Sequence, residues 1–256
     1  LLLLTLNFGG CSKEDSLDTI PKEKEKEEEK EEEEKEEEVT EIVIDVFSLG
    51  TKVIKFSMPL DFVEQINQIY DKNLKSLKPH NDLLAGKIAE ENALDEFLDD
   101  DIRDMFMWCF RQYLKISANN NWDPLLKQVW VNEMRANEYN PIHFHTSADS
   151  GVGLSSVLML KRPDSYGVEA SRAEQPANGW LAFSGGDQSP LSLSSVSVDA
   201  QVGDFFVFPY TLLHAVYPFN STDEVRRTLA YNCDLNPKSG KTPMTDAEYF
   251  PKEDIK

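Results

Sequence analysis

The chain has four histidines, His80, His143, His145 and His214. Two of them stand as His143-Phe144-His145, directly after Asn140-Pro141. Residues i and i+2 of an extended segment project to the same side, so this pair can grip a single ion. His214 follows 69 residues after His145, at the start of another short β-like run. Arg226 opens the stretch RRTLAYN, and Thr228 is again at i+2, so the two share a face. Three imidazoles could hold a metal, and a guanidinium with a hydroxyl could hold a carboxylate. Arg227 then points to the opposite face and takes no part. His80, in KPHND, reads as a loop histidine. The three cysteines, Cys11, Cys109 and Cys233, are too few and too far apart for a disulfide framework or a metal site.

These residues need elements to position them. EIVIDV (41–46) and TKVIKF (51–56) alternate like strands. Pro59 then opens a helix on which Phe62, Val63, Ile66, Ile69, Tyr70, Leu74 and Leu77 recur at helical spacing. A second helix is expected over 93–117. Its apolar stripe is Phe97, Leu98, Ile102, Met105, Phe106, Cys109, Phe110, Tyr113 and Leu114, with Trp108 one position off it. Cys109 on that stripe reads as core. After Trp122-Asp123-Pro124 the texture becomes short β-like runs at 127–136, 154–160, 179–183, 195–198, 204–208, 214–217 and 226–233, with turn residues between them. Trp130, Trp180, Phe205 and Phe208 alternate along these runs and read as core. Many short strands at this spacing indicate a sandwich or jelly roll. Helices first and strands after indicate α+β, with the helices packed on one sheet.

Composition sets the outer limits. The 256 residues carry a formal net charge of −20, with 40% hydrophobic and 10% aromatic residues. So acidic a chain is not a general nucleic-acid binder, because phosphate contact needs a basic face. Its apolar content suffices for a folded core. The charge is concentrated in residues 22–38, KEKEKEEEKEEEEKEEE, which have no apolar member and read as a solvated spacer. Ahead of it, LLLLTLNFGGCSKEDS (1–16) resembles the end of a bacterial lipoprotein signal, in which small residues precede a Cys that becomes lipidated, here Cys11. The expected organisation is a lipoprotein-type signal over 1–16, an acidic Glu/Lys linker over 17–38, a globular domain over 39–238 and a C-terminal tail over 239–256. Within the domain, helical support occupies 59–118 and a jelly-roll core 127–234. The Cys11 signal would place the protein on a membrane surface; without it, a cytoplasmic location is expected.

NEYNPIHFH (137–145), GWLAF (179–183), GDFFVFPYTLLHAVYP (203–218) and RRTLAYN (226–232), taken together, resemble the iron(II)/2-oxoglutarate-dependent oxygenases, specifically their prolyl-hydroxylase-like and phage-type branch. The resemblance covers about 120–238, and the two preceding helices fit the family's support helices. It implies a double-stranded β-helix and a hydroxylase using Fe(II), with 2-oxoglutarate and O2 as cosubstrates and succinate as a product. Carried over residue by residue, His143 and His214 match metal ligands. Arg226 matches the arginine that clamps the far carboxylate of 2-oxoglutarate, and Thr228 the hydroxyl of the family's R-x-S. Asn132 and Tyr139 flank the site in sequence.

The sequence departs from the pattern at His145, where the family usually has Asp or Glu. Either His145 is itself a ligand, as the i and i+2 spacing favours, or Asp149 supplies the carboxylate from the loop TSADSGVG (146–153). Two other readings stay open. One is a cupin-type dioxygenase with three histidines and no 2-oxoglutarate. The other is a non-catalytic jelly-roll binding module on a lipoprotein tether. The substrate, whether peptidyl proline, another side chain or a small metabolite, is not fixed.

Overall fold

The computed structural model describes residues 50–80, 86–117, 119–147, 149–168, 176–186, 192–220 and 223–238. The Cys11 segment, the acidic run, the strand expected over 41–46 and the tail from 239 lie outside the described residues. Among those described, no helix is long and apolar enough to cross a membrane.

In chain order the elements are β1 (Ile54–Ser57), α1 (Leu60–Asn73), β2 (Lys78–Pro79), β3 (Glu90–Ala93), α2 (Asp100–Ile116), β4 (Trp122–Met134), β5 (Asn140–His143), β6 (Gly153–Lys161), β7 (Leu181–Ser184), β8 (Ser195–Val198), β9 (Asp204–Pro209), β10 (Leu213–Val216) and β11 (Arg226–Pro237). They form two antiparallel sheets. The major sheet has the order β1-β9-β6-β11-β4-β3-β2, and the minor sheet β5-β10-β7-β8. This is the α+β jelly roll expected, a double-stranded β-helix with two support helices on one sheet.

Both helices pack on the outer face of the major sheet. Ile66 and Tyr70 of α1 and Ile102, Phe106 and Phe110 of α2 join Val131, Phe205, Leu229 and Tyr231 in one buried cluster. Between the sheets lies a second cluster of Met159, Leu181, Phe183, Phe206 and Phe208, with the Phe183 ring 6.1 Å from Phe206 and 5.0 Å from Phe208. Strand β11 is therefore covered on both faces, and every residue from Arg226 to Leu235 is buried. Its alternation decides the chemistry: Leu229, Tyr231 and Cys233 face the helices, while Arg226, Thr228, Ala230, Asn232 and Asp234 face the interior between the sheets.

Several expectations need correction. The second helix begins at Asp100, not near 93. Asp99 caps it by accepting from the Ile102 N–H at 2.9 Å, and residues 90–93 form β3 instead. The Asp-rich start supplies an N-cap signal that outweighs the apolar spacing upstream of it. Met105 lies at the rim of the stripe, 36% exposed, and Trp108 is exposed with its edge toward Phe56. Cys109 is core, and burial pushes its thiol up to about 12. The strand expected from 127 begins earlier, at Trp122, and takes in Asp123 and Pro124. There β4 pairs with β11 alone, since β3 covers only Trp130–Glu133, so Pro124 occupies an edge where no ladder donor is needed.

Candidate active site

The minor sheet brings the histidines together. His143 ends β5, His214 lies on β10, and the two are directly paired in the antiparallel ladder. His145 lies two residues beyond the strand end. The ring centroids are 4.1 Å apart for His143–His214, 5.2 Å for His143–His145 and 5.0 Å for His145–His214. One ligating nitrogen from each falls within 4.8 Å of the others, and among the described residues no carboxylate joins this group.

Protonation suits a metal. The Nδ1 of His143 is 2.7 Å from the Pro141 carbonyl, and the Nδ1 of His214 is 2.9 Å from that of Leu212. A carbonyl only accepts, so Nδ1 carries the proton and Nε2 is left as a lone-pair donor. Burial holds His143 below the usual imidazole range. It brings His145 down to about 4 and His214 to about 3, reinforced at both by the neighbouring His143. All three are neutral near pH 7, the form that ligates. Around them, Phe208 packs its edge on His214, and Trp130 lies between His145 and His80, which stacks on it at 4.9 Å. His80 is thus no idle loop residue. A cavity of about 310 Å³ beside the cluster is lined by His214, Ile142, Ser184, Ala215 and Tyr217 among others.

Asp149 is not part of this group. Its side chain is 73% exposed and pairs with Lys127 at 2.6 Å, which holds its carboxyl below the usual range. Engaged there and absent from the histidine group, Asp149 has no geometric support as the carboxylate ligand. Tyr139 is 42% exposed and exchanges backbone hydrogen bonds with Lys87. Asn132 faces the interior opposite Thr228, with its Oδ1 lacking a partner.

Arg226 is the largest fully buried side chain, 1% exposed. Its Nε donates to the Gly179 carbonyl at 2.9 Å, and its Nη2 has no partner. Among the described residues no carboxylate pairs with it, and burial pulls its guanidinium below the usual value while the Tyr166 hydroxyl beside it acts the other way. That hydroxyl is also buried without a hydrogen bond. A buried charge without a counter-charge costs several kcal/mol, so a guanidinium whose Nη2 lacks a partner, next to a buried hydroxyl, is the imprint of an anionic ligand. Gly179 makes the approach feasible. It sits at φ +70°, and a Cβ there would lie 2.5 Å from the Tyr166 ring. Tyr166 leaves no sign in the sequence, because a loop tyrosine has no periodic signal.

Arg227 points to the other face, as expected, yet it is far from idle. It is buried against α1, donating to Glu133 at 2.6 Å, Asn67 at 3.0 Å and Asp71 at 2.7 Å, and it stacks 4.4 Å over Tyr70. The expectation of a bystander fails because the helices close over that face.

Residues 128–232 match a family model described as "Putative 2OG-Fe(II) oxygenase". Over these residues the chain is similar to the 2OG-Fe(II) oxygenases. It is an oxygenase whose metal is Fe(II) and whose cosubstrates are 2-oxoglutarate and O2. Among solved structures it is similar to a prolyl-4-hydroxylase from Pseudomonas putida, at 16% identity over 73% of this chain and 93% of that one, TM-score 0.47. It is also similar to the viral collagen prolyl hydroxylase of Paramecium Bursaria Chlorella virus-1, solved with 2OG, at 14% identity over 71% and 96%, TM-score 0.47. A third is HygX from Streptomyces hygroscopicus with nickel, 2-oxoglutarate and hygromycin B bound, at 13% identity over 72% and 82%, TM-score 0.47. Likenesses of this degree decide nothing about substrate. A comparison with curated proteins found no match.

The oxygenase interior holds one further titratable group that the sequence did not flag. Glu91 of β3 stands opposite Asn132, 2% exposed, with its Oε2 unpartnered. Burial raises its carboxyl to about 8, only partly countered by a hydrogen bond from Trp130. The folded state therefore keeps the proton that the unfolded chain releases near its ordinary value of 4.5. Stability is lost as pH rises through that window, by at most about 1.4 kcal/mol per pH unit. Glu91→Gln is expected to unfold at a higher urea midpoint than the parent at pH 8 and at a similar one at pH 5. A difference independent of pH would show that Glu91 is ionised in the fold.

Proposed function

We propose that His143, His145 and His214 hold the Fe(II), and that Arg226, with Thr228 on the same strand face and the Tyr166 hydroxyl beside it, takes the distal carboxylate of 2-oxoglutarate. The observation that carries this reading is the buried Arg226 guanidinium, whose Nη2 has no partner and which meets no carboxylate among the described residues. It also counts against a cupin-type dioxygenase and a non-catalytic module, neither of which needs a cation buried there. The reaction proposed is hydroxylation of a peptide side chain or a small molecule.

The residues divide the work. The neutral imidazoles leave room for cosubstrate and oxygen at the metal, whose bound form supplies the oxidising chemistry. They add no negative charge of their own, and Arg226 supplies the positive charge that meets the distal carboxylate of the cosubstrate. Burial of Arg226, Thr228 and His214 excludes water from the cosubstrate end and strengthens each hydrogen bond made there. Phe208 and Trp130 fix the imidazole planes from the sides.

Anaerobic reconstitution with Fe(II) tests the metal set. His143→Ala and His214→Ala are each expected to abolish stoichiometric iron binding with the fold retained. His145→Asp is expected to keep or raise iron affinity, because it restores a carboxylate at the ligand position. Unchanged iron content in either alanine variant would remove the residue from the set. Conversion of 2-oxoglutarate to succinate by the loaded protein separates the oxygenase reading from the other two.

A further inference from the structure

Two of the three histidines are fixed by the sheet, and the third is not. His143 and His214 pair with one another in the ladder and are tied by Nδ1 to carbonyls of their own segments. His145 lies past the end of β5, and among the described residues its Nδ1 has no such carbonyl. What holds it is a clasp at the other end of β11. The His145 N–H donates to the Tyr210 carbonyl at 2.9 Å, and the two rings are 6.3 Å apart. The Tyr210 hydroxyl donates at 3.0 Å to Asp234 Oδ1, and the Ser147 hydroxyl, two residues after His145, donates at 2.9 Å to Asp234 Oδ2. Lys127 approaches the same Oδ2 at 3.5 Å. Asp234 is 1% exposed and Tyr210 2%. Gly153 accommodates the tyrosine: a Cβ there would lie 2.0 Å from its ring, while the Gly153 carbonyl accepts the Tyr210 N–H.

We propose that Asp234 is a positioning residue for the metal site, its two carboxylate oxygens holding His145 from both sides through Tyr210 and Ser147. Asp234 lies beyond the region matched by the family model, which ends at residue 232. A carboxylate suits the task because both of its oxygens only accept, and both neighbours here are hydroxyl donors. An asparagine would turn an NH2 toward one of the two hydroxyls and leave that donor without an acceptor.

This inference rests on His145 being a ligand, so the test carries a control for that reading. The probe is Co(II), added to the metal-free protein, with affinity and visible absorption spectrum as readouts beside thermal unfolding without metal. Loss of outer partners to a metal-bound histidine typically weakens metal binding about 10–100-fold. Asp234→Asn is expected to weaken Co(II) by that range and to change the spectrum. Ser147→Ala, which leaves the Tyr210 bond in place, is expected to give a smaller change of the same kind and keeps the test open if Asp234→Asn fails to fold. Asp149→Ala is expected to leave both readouts unchanged. A lowered unfolding temperature with unaltered Co(II) affinity and spectrum in Asp234→Asn, or in Ser147→Ala if the first does not fold, would overturn the positioning role. His145→Ala with unaltered Co(II) binding would instead overturn the ligand assignment.

Discussion

Arg226→Ala is expected to weaken 2-oxoglutarate binding at least about 100-fold while leaving Fe(II) binding nearly intact. The guanidinium is fully buried and hydrogen-bonded to Gly179, and among the described residues its Nη2 and the neighbouring Tyr166 hydroxyl lack a partner. A carboxylate arriving there finds donors already aimed and already desolvated. Breaking a buried charged pair by truncating one partner costs about 3–5 kcal/mol, and each 1.4 kcal/mol is about a factor of ten. The measurement is a titration of 2-oxoglutarate into the anaerobic Fe(II) form, following the metal-to-ligand charge-transfer band. Arg226→Met sharpens it. That change keeps most of the volume and removes the unpaired charge, so the ligand-free fold should become no less stable while cosubstrate affinity is lost. Unchanged affinity in both variants would mean that the buried cation serves another anion, and the 2-oxoglutarate assignment would fall.

Arg227→Ala is expected to do the opposite. Its guanidinium meets Glu133 and Asp71 together with Asn67 and the face of Tyr70. Burial pulls the guanidinium down, but the two carboxylates together hold it above its usual value. Glu133 is itself buried, and its carboxyl is already raised by that burial. Removing the arginine leaves it without its main counter-charge. Breaking a buried pair in this way costs about 3–5 kcal/mol. For a domain of this size each kcal/mol lowers the unfolding temperature by about 2–4 °C, so a fall on the order of 6–20 °C is expected. Fe(II) and 2-oxoglutarate affinities of the folded fraction should change less than about threefold. A small shift in unfolding temperature would show that α1 is held by its apolar face alone. The two adjacent arginines thus divide by face, one serving the ligand and the other the helix.

The residue types and their periods carried much of this by themselves. The two-residue spacing of His143 and His145, and of Arg226 and Thr228, is a statement about extended chain, and it named the interior face of β11 before any fold was known. The apolar stripe of the second helix, from Ile102 to Leu114, likewise follows from local periodicity, because a helix that packs on a sheet must repeat its buried residues every three to four positions. What sequence could not supply was every relation between distant segments. The ladder pairing of His143 with His214, the Tyr166 hydroxyl beside Arg226 and the closure of α1 over Arg227 join residues tens of positions apart or more. None leaves a local period. Asp149 and Asp234 show the same limit from the other side. By spacing, Asp149 was the carboxylate to consider for the metal site, but exposure and Lys127 take it away. Asp234 carried no signal of its own, yet the pairing of Asp234 with Gly153 on β6 and the seating of Tyr210 on Gly153 bring it within reach of Tyr210 and Ser147. Pattern along the chain fixes which way a side chain points, whereas its partner is set by which strands the packed sheets bring alongside.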